Sequence, residues 1–265
     1  MINIVKAIER HKNNKSERMN EIISILELNS IAYEVQVYKT GKNLIVTLGN
    51  EPFIGIGSHY DAVPESPGAN DNASAIAVSL NILRKVKISP LEKIGIRAFF
   101  FDEEENGLVG SKEYIKEKGI ENLIGIYNME LVGSGNNIVL WQVDDQQNTL
   151  LLKTFEYEAR KQKTETHRIP AIVTNSADHQ SFKEAGLEDS FTITAVTKED
   201  LSIAPKYYRA LQNGDIAECW KILSKAPVFR HYHKPTDESK HLSIETLEMV
   251  SSLLFESIRS IDKRY

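Results

Sequence analysis

Three short polar clusters each follow an apolar run: Ser58-His59-Tyr60-Asp61 after Phe53 to Gly57, Asp102-Glu103-Glu104-Glu105 after Ile94 to Phe101, and Asn128-Met129-Glu130 after Leu123 to Tyr127. With Asp71 and the late His233 they offer two imidazoles and three carboxylates, on His59, Asp71, Glu105, Glu130 and His233. That donor mix suits zinc, and also borderline ions such as cobalt or manganese. Five ligands imply two metal ions. A carboxylate bridges two cations about 3.5–4 Å apart, and such a pair activates a water and clamps a tetrahedral intermediate. Asp71, between the other ligands in chain order, is the natural bridge. Asp61, two residues beyond His59, is placed to accept a hydrogen bond from the imidazole and fix its metal-binding tautomer. Asp237 is read as doing something comparable near His233. Chemistry of this kind needs no serine or cysteine nucleophile, and Cys219 has no activating neighbour.

The elements that must position these groups follow from hydrophobic periodicity. Short, nearly continuous apolar runs are the mark of strands buried on both faces in α/β architecture, and ligands in such sheets bind outside the carboxyl ends of the strands. The three polar clusters should therefore converge there. Ile76, Leu80, Leu83 and Val86 recur at helical spacing and predict a crossover helix starting near Asp71. The stretch through Leu28 reads as one or two amphipathic helices, and Tyr33 to Leu48 as a hairpin around Lys-Thr-Gly-Lys. Thr149 to Gln162 reads as a helix, Asp189 to Val196 as a strand, and Ile244 to Ile261 as the final helix. Residues 197–230 are less regular, with a helix around Ile216 to Leu223, and are expected to form a lid or specificity wall. No repeat or linker interrupts residues 1–265, so a single domain is expected.

Composition narrows the partners. With 41% hydrophobic and 26% charged residues over 265 positions, the chain can bury a core without disulfides. Net charge is −5 with no basic stripe, which argues against nucleic acid and anionic membranes. No apolar run approaches the roughly 20 residues that cross a bilayer. One cysteine and no recognisable leader give a cytoplasmic expectation.

Taken together the motifs resemble metallopeptidase family twenty-eight, the co-catalytic zinc aminopeptidases with glutaminyl cyclases among their relatives. The resemblance is carried by GSHYD at Gly57 to Asp61, GANDNASA at Gly68 to Ala75, EENGLVGS at Glu104 to Ser111, NMELVGSG at Asn128 to Gly135, SADHQSF at Ser176 to Phe182 and YHKPTD at Tyr232 to Asp237. It implies a three-layer αβα sandwich with a mixed, mostly parallel central sheet. It also implies two zinc ions, one on His59, Asp71 and Glu130, the other on Asp71, Glu105 and His233. Glu104 would be the general base and Tyr232 a donor to the developing oxyanion, while Asp102 and Glu103 read as a solvated acidic turn. The family's Asn-x-Asp is Asn-x-Glu here, which makes the Glu130 side chain one methylene longer. The activity implied is exopeptidase cleavage of a peptide or small amide, most simply at the amino terminus. A one-zinc cyclase-like acyltransferase, a carboxypeptidase or deacylase, and a non-catalytic binding module are the alternatives. For Asp178 and His179 a structural role and substrate contact both stay open.

Overall fold

The hairpin expected from alternating residues comprises β1 (Glu34–Val37) and β2 (Lys42–Leu48). The apolar runs become β3 (Phe53–His59), β4 (Gly95–Phe101) and β5 (Leu123–Met129), followed by β6 (Asn137–Trp141), β7 (Thr166–Ile169) and β8 (Ser190–Val196). The computed structural model describes residues 1–170 and 177–265. Among these the strands form one sheet in the order β1-β2-β4-β3-β5-β8-β6-β7. β4, β3, β5 and β8 run parallel to their neighbours in that block. The β1–β2, β2–β4 and β6–β8 pairs are antiparallel and β6–β7 is parallel. Every residue of β3 and of β8 is buried, which is why their sequences carry no period of two.

Helices α1 (Ile2–Glu9), α2 (Lys15–Leu28), α3 (Ser74–Ile88), α5 (Leu150–Lys161) and α9 (Ile244–Asp262) share one core with Val46, Ile54, Ile56 and Phe100 of the sheet. Helices α4 (Val109–Lys118) and α6 (His179–Glu184) pack Tyr114 and Phe182 on the other face against Phe53, Phe99 and Phe101. The neighbours Phe99 and Phe100 thus enter opposite cores, as the strand period requires. No described helix is long and apolar enough to cross a membrane.

Two elements differ from expectation. The crossover helix α3 begins at Ser74, because Asp71 (φ −113°, ψ 82°) and Asn72 (φ −138°, ψ 29°) lie outside helical space. Much of residues 197–230 is regular: ahead of α8 (Ile216–Leu223) runs α7 (Lys198–Gln212), with Pro205 inside it. A reciprocal cap between Thr197 and Asp200 starts α7. Tyr207 and Ala210 then bury against Cys219 and Ile222 of α8, packing that offsets the roughly 3 kcal/mol an interior proline costs.

Candidate metal centre

Strands β3, β4 and β5 end on the same side of the sheet, at His59, Phe101 and Met129, and the polar clusters follow at that edge. There His59 Nε2 lies 3.2 Å from Asp71 Oδ1, 3.3 Å from Glu130 Oε2 and 3.9 Å from Glu104 Oε2. The other oxygen of Asp71 is 3.3 Å from His233 Nε2, which lies 3.0 Å from Glu105 Oε2. Asp71 therefore faces one imidazole with each oxygen. Donor atoms of His59, Asp71 and Glu130, and separately of Asp71, Glu105 and His233, all lie within 4.8 Å of one another. A third overlapping set is His59, Glu104 and Glu105. His59, Asp71 and Glu130 are buried, whereas His233 is 37% exposed and stands at the mouth.

The electrostatics are those of packed acids. Burial, with the charges of Glu130, Asp178 and Glu105, pushes Glu104 well above the usual carboxylate range against the pull of His59. Burial likewise raises Glu105, helped by Asp71, and Glu130. Burial alone would depress His59, yet Glu130 and Glu104 hold it well above its ordinary value. In the same contest Asp71 and Glu105 raise His233 to about 9. Burial and the charges of Asp71 and Glu105 push the Tyr232 hydroxyl up, so it keeps its proton at neutral pH. The Tyr232 ring stacks on His233 with centroids 3.7 Å apart.

The surrounding hydrogen bonds orient the donors. Asp61 Oδ1 is 3.3 Å from His59 Nδ1 and accepts the Glu104 N–H, while its Oδ2 accepts the Glu105 N–H, both at 3.2 Å. One carboxylate thereby joins the end of β3 to the turn after β4. Each oxygen of Glu130 receives an amide: Oε2 from Asn72 Nδ2 at 2.7 Å and Oε1 from Asn128 Nδ2 at 3.3 Å.

Some sequence expectations need correction. Asp237 accepts the backbone N–H groups of Asn70 (2.9 Å) and Asp71 (3.1 Å) instead of serving the His233 ring. Asp102 is buried and Glu103 partly so, because Lys15 Nζ crosses from α2 to within 3.1 Å of Asp102 Oδ2 and 3.2 Å of Glu103 Oε1. Ser176 of the fifth motif lies outside the described residues. Asp178 is buried, and burial pushes its carboxyl up to about 7. His179 Nδ1 sits 2.6 Å from Thr192 Oγ1 and Nε2 3.0 Å from Gln142 Oε1, and burial lowers its pKa to about 3. Asn72 and Arg18 were not foreseen. The first follows Asp71 directly inside a motif already singled out, whereas the second has no local signal.

Fold and site together define an α/β protein with a two-histidine, multi-carboxylate cluster at the carboxyl edge of its sheet. The chain belongs to Peptidase family M28, which matches residues 43–258. Aminopeptidase YwaD of Bacillus subtilis (strain 168) is 27% identical over 220 residues, covering 78% of this chain and 41% of that protein. The structure of BSAP, a zinc aminopeptidase from Bacillus subtilis, superposes with a TM-score of 0.66 at 25% identity, covering 83% of this chain and 50% of that one. A glutaminyl cyclase of Bacteroides thetaiotaomicron, bound to N-acetylhistamine, shares the fold with a TM-score of 0.71 at 18% identity, covering 97% and 96%. The chain thus spans half or less of the length of the two aminopeptidases.

Proposed function

We propose that this chain is a zinc-dependent exopeptidase that releases amino-terminal residues from peptides, with Glu104 as general base. The observation that carries the reading is the double-faced Asp71, each of whose oxygens meets a separate histidine that itself lies beside a further carboxylate. The residues fit a pair of divalent ions. Four carboxylates (Asp71, Glu104, Glu105 and Glu130) crowd two imidazoles, and Glu105 Oε1 is buried without a hydrogen-bond partner among the described residues. His59, Asp71 and Glu130 would hold one ion, and Asp71, Glu105 and His233 the other. When bound, the ions would supply Lewis acidity toward water and the scissile carbonyl.

The protein's own groups do the rest. Glu104, whose surroundings raise its proton affinity, takes a proton from the attacking water and returns it to the departing amine. Tyr232 retains its hydroxyl proton and donates it as a hydrogen bond to the developing oxyanion. Asp61 holds the His59 ring and the Glu104–Glu105 backbone in register. The surplus of acids, Glu130 among them, favours a free ammonium on the substrate, in keeping with the aminopeptidases named above.

Residues 197–230 support a specificity wall. Leu201, Ile203, Tyr207 and Phe229 close an apolar cavity of about 90 Å³ over Trp141 and Val196. Phe229 packs edge-on against Tyr232 with centroids 5.4 Å apart, linking that cavity to the centre. It would take an apolar substrate side chain. Glu104→Gln tests the whole reading: amino-acid release should fall by about 10²–10⁴-fold with zinc content unchanged. Retained turnover would remove Glu104 from its role, and cyclisation of amino-terminal glutamine in place of residue release would favour the acyltransferase.

A further inference from the structure

We propose that Arg18 is a positioning residue of the metal centre, a buried guanidinium brace that holds the chain on both sides of its ligand loop. Helix α2, which supplies it, lies outside the residues matched to the family. The side chain is 1% exposed. Its Nε donates to the carbonyl of Tyr60 at 2.5 Å, Nη1 to that of Pro67 at 2.7 Å and Nη2 to that of Gly68 at 3.2 Å. Tyr60 immediately follows His59, and Gly68 stands three residues before Asp71. A single planar group therefore ties together the two ends of the loop that separates one histidine donor from the bridging carboxylate.

The surroundings fit arginine specifically. Gly68 adopts φ +61°, and a Cβ there would come within 2.6 Å of the Asp71 carbonyl oxygen and 3.0 Å of Arg18 Nη2, so the loop closes directly onto the guanidinium. Three carbonyls spread around a fork match the fixed donors of arginine, whereas an ammonium is a point charge that cannot span them. Among the described residues its three hydrogen-bond acceptors all lie in the segment from 60 to 68. The cation also faces Asp61, Asp71 and Asp237, whose charges oppose the effect of burial; its pKa falls only to about 10, so it remains charged at neutral pH. Burying an arginine for packing alone is costly. Here its charge stands beside three carboxyl groups and offsets their mutual repulsion.

The inference rests on the metal-centre reading but not on the peptidase reading, and zinc binding separates them. Affinity is measured by competition with a chromogenic chelator on the full chain, with melting temperature recorded in parallel. Wild type should bind zinc; if it does not, the metal centre itself is refuted. Arg18→Met should bind zinc ten- to a hundredfold more weakly, the range typical of groups that orient ligands. Arg18→Lys should recover only part of that loss. Added guanidinium ion at low millimolar concentration should tighten zinc binding by Arg18→Ala and leave wild type unchanged. Asp262→Asn is the control for simple destabilisation, because Asp262 accepts the backbone N–H groups of Glu92, Lys93 and Ile94 at the opposite end of the sheet. It should lower the melting temperature with zinc affinity intact. A folded Arg18→Met with wild-type affinity overturns the proposal, as does an equal affinity loss in Asp262→Asn. Should Arg18→Met fail to fold, Arg18→Lys decides: full zinc affinity there refutes the brace.

Discussion

Replacing Glu130 by aspartate restores the residue usual in the family's third motif, yet the geometry here argues that it weakens metal binding. The substitution retracts the carboxylate by one carbon–carbon bond, about 1.5 Å. The backbone cannot follow, since Glu130 N–H is bonded to the Ile193 carbonyl at 3.0 Å and its own carbonyl accepts the Thr194 hydroxyl at 2.7 Å. The 2.7 Å bond from Asn72 to Oε2 then opens beyond hydrogen-bonding range. A hydrogen bond to a charged group contributes about 1.5–3 kcal/mol, and roughly 1.4 kcal/mol is a factor of ten. Zinc affinity should therefore fall by about 10–100-fold, with a parallel loss in kcat/KM for a peptide substrate. Chelator competition measures the first and amino-acid release the second. Asn72→Ala should cost a similar factor, and the double variant should be little worse than either single one, because both break the same contact. Wild-type zinc affinity in a folded Glu130→Asp protein, or full additivity in the double variant, would show that the Asn72 contact does not set the ligand's position.

Removing the ions with a chelator should abolish turnover and lower the melting temperature, with zinc restoring both. At a free zinc concentration one hundred times the dissociation constant the stabilisation is about 2.7 kcal/mol, and calorimetry showing no shift would contradict the metal site. Neutral His179, held near 3 by burial, makes stability pH-dependent: its contribution is intact above the unfolded value near 6.5 and is lost as pH falls toward 3. His179→Gln should flatten denaturant-measured stability between pH 6.5 and 4.5 by up to about 1.4 kcal/mol per pH unit; an unchanged slope would place the acid sensitivity elsewhere. Ile203→Ala and Tyr208→Ala, both at the apolar cavity, should shift relative kcat/KM among aminoacyl substrates away from large apolar residues. Identical profiles across the panel would detach the cavity from specificity.

What the sequence made legible was what is encoded locally. The runs at 53–57, 94–101 and 123–127 announce buried strands, and the polar clusters directly after them must sit at strand ends, which pointed to His59, the 102–105 acids and Glu130; Asp71 came from the start of the crossover helix, His233 from a late loop, and the choice of Glu104 and Glu105 from the family resemblance. Long-range partners left no trace. Nothing near Asp102 signals that Lys15, eighty-seven positions earlier, will bury it. Asp237 was assigned to the wrong neighbour because its donors, the N–H groups of Asn70 and Asp71, belong to a loop more than 160 residues away. In α7 the proline masked a helix whose start was written in Thr197 and Asp200, and its burial against α8 outweighed propensity.

The scatter of the donors along the chain has a consequence for biogenesis. One donor set runs from His59 to Glu130 and the other from Asp71 to His233, so no short stretch emerging from a ribosome can complete either by itself. The site of Asp71, Glu105 and His233 is complete only once the last loop has docked, whereas that of His59, Asp71 and Glu130 needs only the sheet edge.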